Sequence, residues 1–215
     1  MKKLQGLRVG TQLIGGFVIV SVIGGLIGAV GLWRAAQMND YAQTMYSRQV
    51  IGLTSAADTA LMLQATNRSA NNAVFADTLS DRKDRVDAAQ QRMRETLELL
   101  AQTEKHFTTA EGRQQVQAAR EQLGKVQHVL GELFTRLESE PPGEAWTAAD
   151  MLNNELRPVI NDAEALLVTL KQRKADDAAR LAEATSAAFA SGRSAMIALT
   201  LGGVVVGLGL GVWLT

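Results

Sequence analysis

The stretch VQAAREQLGKVQHVLGELFTRL, residues 116–137, places Val116, Ala119, Leu123, Val126, Leu130, Leu133 and Leu137 at alternating steps of three and four residues. That spacing holds all seven on one stripe of an α-helix, and the positions between them are largely charged or amide-bearing. A stripe this regular is stable only against partner helices, so the rest of the chain must supply them. Upstream, Thr108 and Glu111 have the spacing of a capping box that starts this helix. Downstream, ESEPPGEAW (138–146) ends it with two prolines and a glycine.

The flanking segments repeat the same pattern without any sustained period-two alternation. Val86, Ala89, Met93, Leu97 and Leu100 mark a helix over about 82–106, entered through a turn at TLSD in which Ser80 can act as N-cap. Before it, Val50, Leu53, Ala57, Ala60 and Leu61 form an apolar stripe that resumes at Val74 and Phe75. After the proline break, Thr147 with Asp150 can cap a further helix through Leu156, Val159, Ala163, Leu166, Leu170, Leu181 and Ala188. At a rise of 1.5 Å per residue, the helices over 34–77 and 147–193 are about 66 and 70 Å long, and the two between them about 37 and 45 Å. The expectation is an all-α, up-down-up-down four-helix bundle whose outer helices extend beyond a shorter central hairpin.

The ends of the chain explain the extension. No charged residue occurs in the 25 positions from Val9 to Trp33, nor in the 22 from Ser194 to Thr215. Each run suffices to cross a hydrocarbon layer of about 30 Å as a helix, and Trp33 and Trp213 suit its interfaces. Lys2, Lys3 and Arg8 precede the first run and, with Ala29-Val30-Gly31, would also fit a cleaved signal peptide. The apolar run exceeds a normal signal core and the helical pattern continues past Trp33, which favours a retained anchor. The positive-inside rule then puts residues 1–12 in the cytoplasm, a first membrane helix at 13–33, an external bundle at 34–193 and a second membrane helix at 194–215.

All 22 acidic residues and 19 of the 22 basic ones (all but Lys2, Lys3 and Arg8) fall in the external segment, a formal charge of −3. A mildly acidic domain argues against nucleic acid and offers no global field to attract an anion, so an anion site there must be a local cluster of arginines. The chain has no cysteine, hence no disulfide framework and no thiolate chemistry. His106 and His128 stand apart, with no metal-binding spacing, and no nucleophile elbow or phosphate-binding loop occurs. Neither an enzyme nor a metal or cofactor protein is expected. Gly24-x-x-x-Gly28 and the series Gly203, Gly207, Gly211 permit close helix approach within the membrane.

One segment breaks the apolar rule. Within LMLQATNRSANNAVFAD (61–77), the stripe set by Val50, Leu53 and Leu61 continues into Gln64, Asn67 with Arg68 beside it, and Asn71. If those positions face inward, they forgo roughly 1.5 to 3 kcal/mol of burial apiece. Polar residues that fix bundle register, or a helix end facing solvent, would account for this without a ligand. A ligand pocket accounts for it with one: Asn154, Arg157 and Asn161 share a face of the fourth helix at a similar depth, with Arg92 of the second helix near that level. Two converging guanidiniums suit a carboxylate. Pro158 lacks an N–H and would leave the Asn154 carbonyl free to accept from a ligand, or would simply kink the helix.

The opening LRVGTQLIGGF (7–17), with the anchor–bundle–anchor layout, resembles the N-terminal part of a bacterial methyl-accepting chemotaxis receptor. Residues 61–77 are similar to the ligand-contacting part of helix one in the aspartate and serine receptors, and RPV (157–159) is similar to the proline-bearing segment near their helix-four contacts. The resemblance implies an inner-membrane receptor with residues 34–193 periplasmic, a homodimer with the site near the subunit interface, and a small displacement of helix four as the signal. It also implies a signalling part beyond Thr215 that engages the cytoplasmic chemotaxis kinase complex. The pattern differs from those receptors in having Asn71 and Asn72 after Arg68, and Val159 where a hydroxyl residue is expected. A small organic acid, in preference to an amino acid, is therefore the expected ligand, held by Arg68 and Arg157 with Gln64, Asn67, Asn71, Asn154 and Asn161. Similar bundles also serve as sensors of histidine kinases and cyclic-nucleotide enzymes, and a ligand-free structural bundle is the remaining alternative.

Overall fold

The structure, a computed structural model, describes the backbone of residues 9–214 and the side chains of 14–209, 211 and 212. Lys2, Lys3 and Arg8, most of the cytoplasmic N-terminus expected at 1–12, and the side chain of Trp213 lie outside the described residues. The described residues contain helices and no strand. They are α1 (Val9–Thr44), a π-helical turn (Met45–Val50), α2 (Ile51–Val74), α3 (Leu79–Glu104), α4 (Ala110–Ser139), α5 (Trp146–Met151), a second π-helical turn (Leu152–Leu156) and α6 (Arg157–Leu214).

Two compact units result, one formed by 44–179 and the other by 1–43 with 180–215. The first is a four-helix bundle made of α2, α3, α4 and the α5–α6 run up to residue 179. Its connections are short, so successive helices reverse direction. Its core is one continuous cluster to which every helix contributes a heptad seam. In α4 the seam is the one legible in the sequence, from Val116 to Leu137, with every member buried. From the second π turn into α6 it is Leu156, Ile160, Ala163, Leu167, Leu170 and Lys174, one residue on from the expected Val159 and Leu166, which are only half-buried.

The larger correction concerns α2. Its buried residues are Gly52, Ala56, Thr59, Leu63, Thr66, Ala70 and Ala73, with Ser69 and Val74 alongside. Val50 and Leu61, which seemed to define the stripe, are exposed, and Leu53 is half-buried. The seam thus runs one to two residues away from its expected position. The reason is physical: the face is lined by small side chains that carry little hydrophobic signal but allow α3 to approach closely, and α3 answers with Ala89, Thr96 and Thr103. The buried threonines are satisfied locally. Thr59, Thr66, Thr96 and Thr103 donate to the carbonyls of Ser55, Met62, Arg92 and Leu99, at 2.8, 2.9, 2.8 and 2.8 Å, each one helical turn back.

Caps differ from expectation by a residue or two. Thr78, not Ser80, accepts from the Asp81 N–H at 3.1 Å, and Thr109, not Thr108, accepts from the Gly112 N–H at 3.1 Å. Thr147 caps nothing, because α5 has already begun at Trp146, and the Ala148 N–H is bound by Glu140 Oε2 at 3.3 Å. At the other end of α4, buried Arg82 donates to the Leu137 carbonyl at 2.7 Å and to that of Glu140, closing the helix C-terminus with a cation.

The second unit comprises most of α1 and the C-terminal part of α6. Its large apolar side chains point outward: Phe17, Leu26, Leu32, Val205 and Leu208 are each at least 60% exposed. The helical runs that contain these segments are long and apolar enough to cross a membrane, with mean hydropathy of 2.2 and 1.5 over their most apolar stretches. Outward apolar surface of this kind is matched to lipid. Gly203 allows the two helices to touch, since a Cβ there would lie 3.0 Å from Ile23 Cγ2. At least this member of the glycine series therefore serves packing inside the chain.

Candidate functional site

The residues expected to bind a ligand lie on the surface of the bundle and not in its interior. Gln64, Arg68, Asn154, Arg157 and Asn161 are exposed, and Asn67 and Asn71 are half-buried. No core burial is forgone at these positions, because the true seam passes through Leu63, Thr66 and Ala70 beside them. The structure brings some of them together. Asn71 Nδ2 donates to the Asn67 carbonyl at 2.8 Å and to Asn67 Oδ1 at 2.9 Å, which fixes both amides on one face of α2. Asn154 Nδ2 donates to Asp150 Oδ1 at 2.7 Å. Among the described residues neither Arg68 nor Arg157 has a hydrogen-bond or ion-pair partner, so both guanidiniums are available to an outside anion. Arg92 is not: it donates to Ser69 Oγ and to the Ala65 carbonyl, binding α3 to α2.

Pro158 follows directly on a wider stretch of helix. The second π turn, Leu152–Leu156, immediately precedes the Arg157-Pro158 pair, and the Arg157 N–H bonds to the Leu152 carbonyl five residues back. A π turn widens the helix where the pyrrolidine ring would otherwise meet the carbonyl four residues earlier. The sequence carried a trace of it. The buried positions Ala148, Leu152, Leu156 and Ile160 advance by three successive steps of four, which an α-helix cannot keep on one face.

A second group of polar residues had not been anticipated. Lys174 occupies a seam position of α6 and is only 4% exposed. Its ammonium donates to the His106 carbonyl and to Gln49 Oε1, the latter at 3.5 Å, and sits 4.5 Å from the centre of the Phe107 ring. Gly52 makes room for it: a Cβ there would lie 3.0 Å from both His106 Cβ and Lys174 Cε. Burial pulls the Lys174 ammonium below its ordinary value; Asp177 opposes this, and Arg173 and Arg48 add to it. Next to it, Arg173 pairs with Glu111 at 2.7 Å and donates to Gln115 Oε1 at 3.2 Å. The signal for Lys174 was the α6 heptad itself, since a charge at the position after Leu167 and Leu170 must be buried or break the seam.

Comparison with known proteins gives one result. A family model described as a four-helix-bundle sensory module for signal transduction matches residues 6–189. No curated protein and no solved structure matches the chain.

Proposed function

The chain belongs to the four-helix-bundle sensory modules of methyl-accepting chemotaxis proteins, and we propose that it senses a small organic acid at the external surface of its bundle. The observation that carries this is the pair of exposed, unpartnered guanidiniums, Arg68 on α2 and Arg157 on α6. Arg68 lies six residues before the end of α2, and Arg157 lies eleven residues into the helical run that starts at Trp146. The half-buried amides of Asn67 and Asn71, with Gln64, Asn154 and Asn161, supply further hydrogen bonds on the same two helices. Because these groups lie outside the core, the ligand would be enclosed only when a second copy of the chain covers that face, which agrees with a homodimer.

In this reading the protein is anchored in the bacterial inner membrane by helices near 13–33 and 194–215, with residues 34–193 in the periplasm. The ligand shifts α6 relative to its neighbours, to the extent that it binds one arrangement more tightly than the other. A displacement of about 1 to 2 Å is within the repertoire of packed helices. The chemotaxis kinase complex in the cytoplasm would receive that shift through the second membrane helix.

Calorimetry on the full chain in nanodiscs, titrated with small mono- and dicarboxylic acids and with amino acids, tests the proposal. At least one acid is expected to bind, with Arg68→Ala and Arg157→Ala each weakening it by about tenfold or more, the factor that one lost charge-assisted bond of about 1.5 to 3 kcal/mol supports. Both side chains are exposed, so the variants should melt like the native chain. Binding undiminished by either change, or no acid bound at all, would sink the proposal.

A further inference from the structure

The turn between α3 and α4 lies against a small cavity of about 100 Å³ in the bundle. Three cationic side chains line it, from two elements far apart in the chain: Arg48 of the first π turn, and Arg173 and Lys174 of α6. Asp177 is the one carboxylate in the lining. Arg173 is already paired with Glu111, which leaves Arg48 and Lys174 with a single opposing charge between them. Among the described residues the Arg48 guanidinium has no hydrogen-bond or ion-pair partner. An ammonium has three donors, and that of Lys174 has acceptors for two, the His106 carbonyl and Gln49 Oε1.

A buried ammonium with only two oxygen acceptors beside the Phe107 ring, an unpaired guanidinium and hydroxyls at Thr108 and Thr109 describe a receptor for negative charge. The volume is enough for one compact polyatomic ion. The first turn of α4 lies beside it, where Thr109 caps the helix, and its N–H groups add a favourable partial positive charge. We propose that this cavity binds a small oxyanion of the phosphate or sulfate class, held by Arg48 and Lys174 with Arg173 at its rim.

The site is distinct from the surface around Arg68 and Arg157 and does not depend on it. An ion here joins the first π turn, the α3–α4 turn and α6. It does so four residues after the start of the bundle at Thr44 and five residues before its end at Ala179, the two places where the chain enters and leaves the sensory unit. Occupancy would therefore hold α6 against the rest of the bundle, a second input to the element whose displacement carries the signal.

The test is thermal melting of the full chain in a maltoside detergent, which carries no phosphate, with sodium phosphate titrated against sodium chloride at matched ionic strength. The native chain is expected to show a saturable rise in Tm specific to phosphate. Arg48→Gln, at an exposed position that the fold does not need, should weaken the apparent affinity by about tenfold or more. Lys174→Met should do the same whatever it does to the baseline Tm, and Arg68→Ala should leave the response intact. A rise that grows without saturating is general salt exclusion and overturns the proposal, as does a saturable rise that survives both Arg48→Gln and Lys174→Met. Loss in Arg68→Ala alone would move the ion to the organic-acid surface, refuting this site and leaving the proposed function standing.

Discussion

The two halves of the bundle core are equally dry and differently made. On α4 and α6 the seam is mostly Leu, Ile and Val, with Leu123, Leu133 and Leu167 fully buried. On α2 and α3 it is mostly Ala, Thr and Gly, with Ala56, Thr59, Thr66, Ala70, Thr96 and Thr103 fully buried as well. The first half contributes apolar area, which stabilises roughly in proportion to the surface removed from water. The second contributes close approach: short side chains bring two backbones together, and each threonine returns its hydroxyl to its own helix so that no donor is stranded. Helix pairing in this protein is thus achieved by two means, and only one of them looks hydrophobic in the sequence.

Substitutions can break that contrast in a graded way. Leu133→Ala should have the largest effect, a loss of about 2 to 5 kcal/mol from the transfer and cavity costs together, measured by urea unfolding of the full chain in detergent. Ala70→Leu attacks the other half by overfilling it and should cost about 1 to 3 kcal/mol; a neutral result would show that α2 and α3 have slack and that their small residues are not required for closeness. The mildest change concerns Lys174, the one charge in the leucine-rich half. Its folded ammonium gives up its proton more readily than the unfolded one, so the folded state binds fewer protons in the window below 10.5. The penalty is fully present at lower pH and is relieved as pH rises toward 10.5, where the unfolded group also titrates. The native chain should therefore gain stability relative to Lys174→Met across that alkaline window, and parallel pH profiles for the two would remove Lys174 from the core's electrostatics.

The same contrast decides what could be learned from the sequence. The α4 heptad, the four-helix layout and the two membrane-length apolar runs were legible because large aliphatic side chains at fixed spacing admit one interpretation. The α2 seam was misplaced because Val50, Leu53 and Leu61 outweighed Ala56, Thr59 and Ala70 as hydrophobic markers, although only the small set fits the space facing α3. That error placed Gln64, Arg68 and Asn71 in the core. These residues lie on the outer face of the bundle, with Asn71 half-buried. Lys174 and Arg82 escaped notice for the opposite reason, since a charged letter is assigned to solvent by default, although each meets a buried backbone carbonyl, at His106 and at Leu137.

The second π turn has a consequence for the phase of the helix it interrupts. Ala148, Leu152, Leu156, Ile160 and Ala163 are spaced by four, four, four and three residues. Removing one residue between Leu152 and Leu156 would restore a plain four-three alternation, so the core itself does not demand the extra residue. Pro158 does, because in an unbroken α-helix its ring would press on the carbonyl one turn earlier. The insertion therefore acts as a spacer that decouples the two faces of the helix: it lets the outer face carry Arg157 and a proline while the inner face keeps step with α4. Evolution could lengthen or trim the outer side here by a single codon without renegotiating the core.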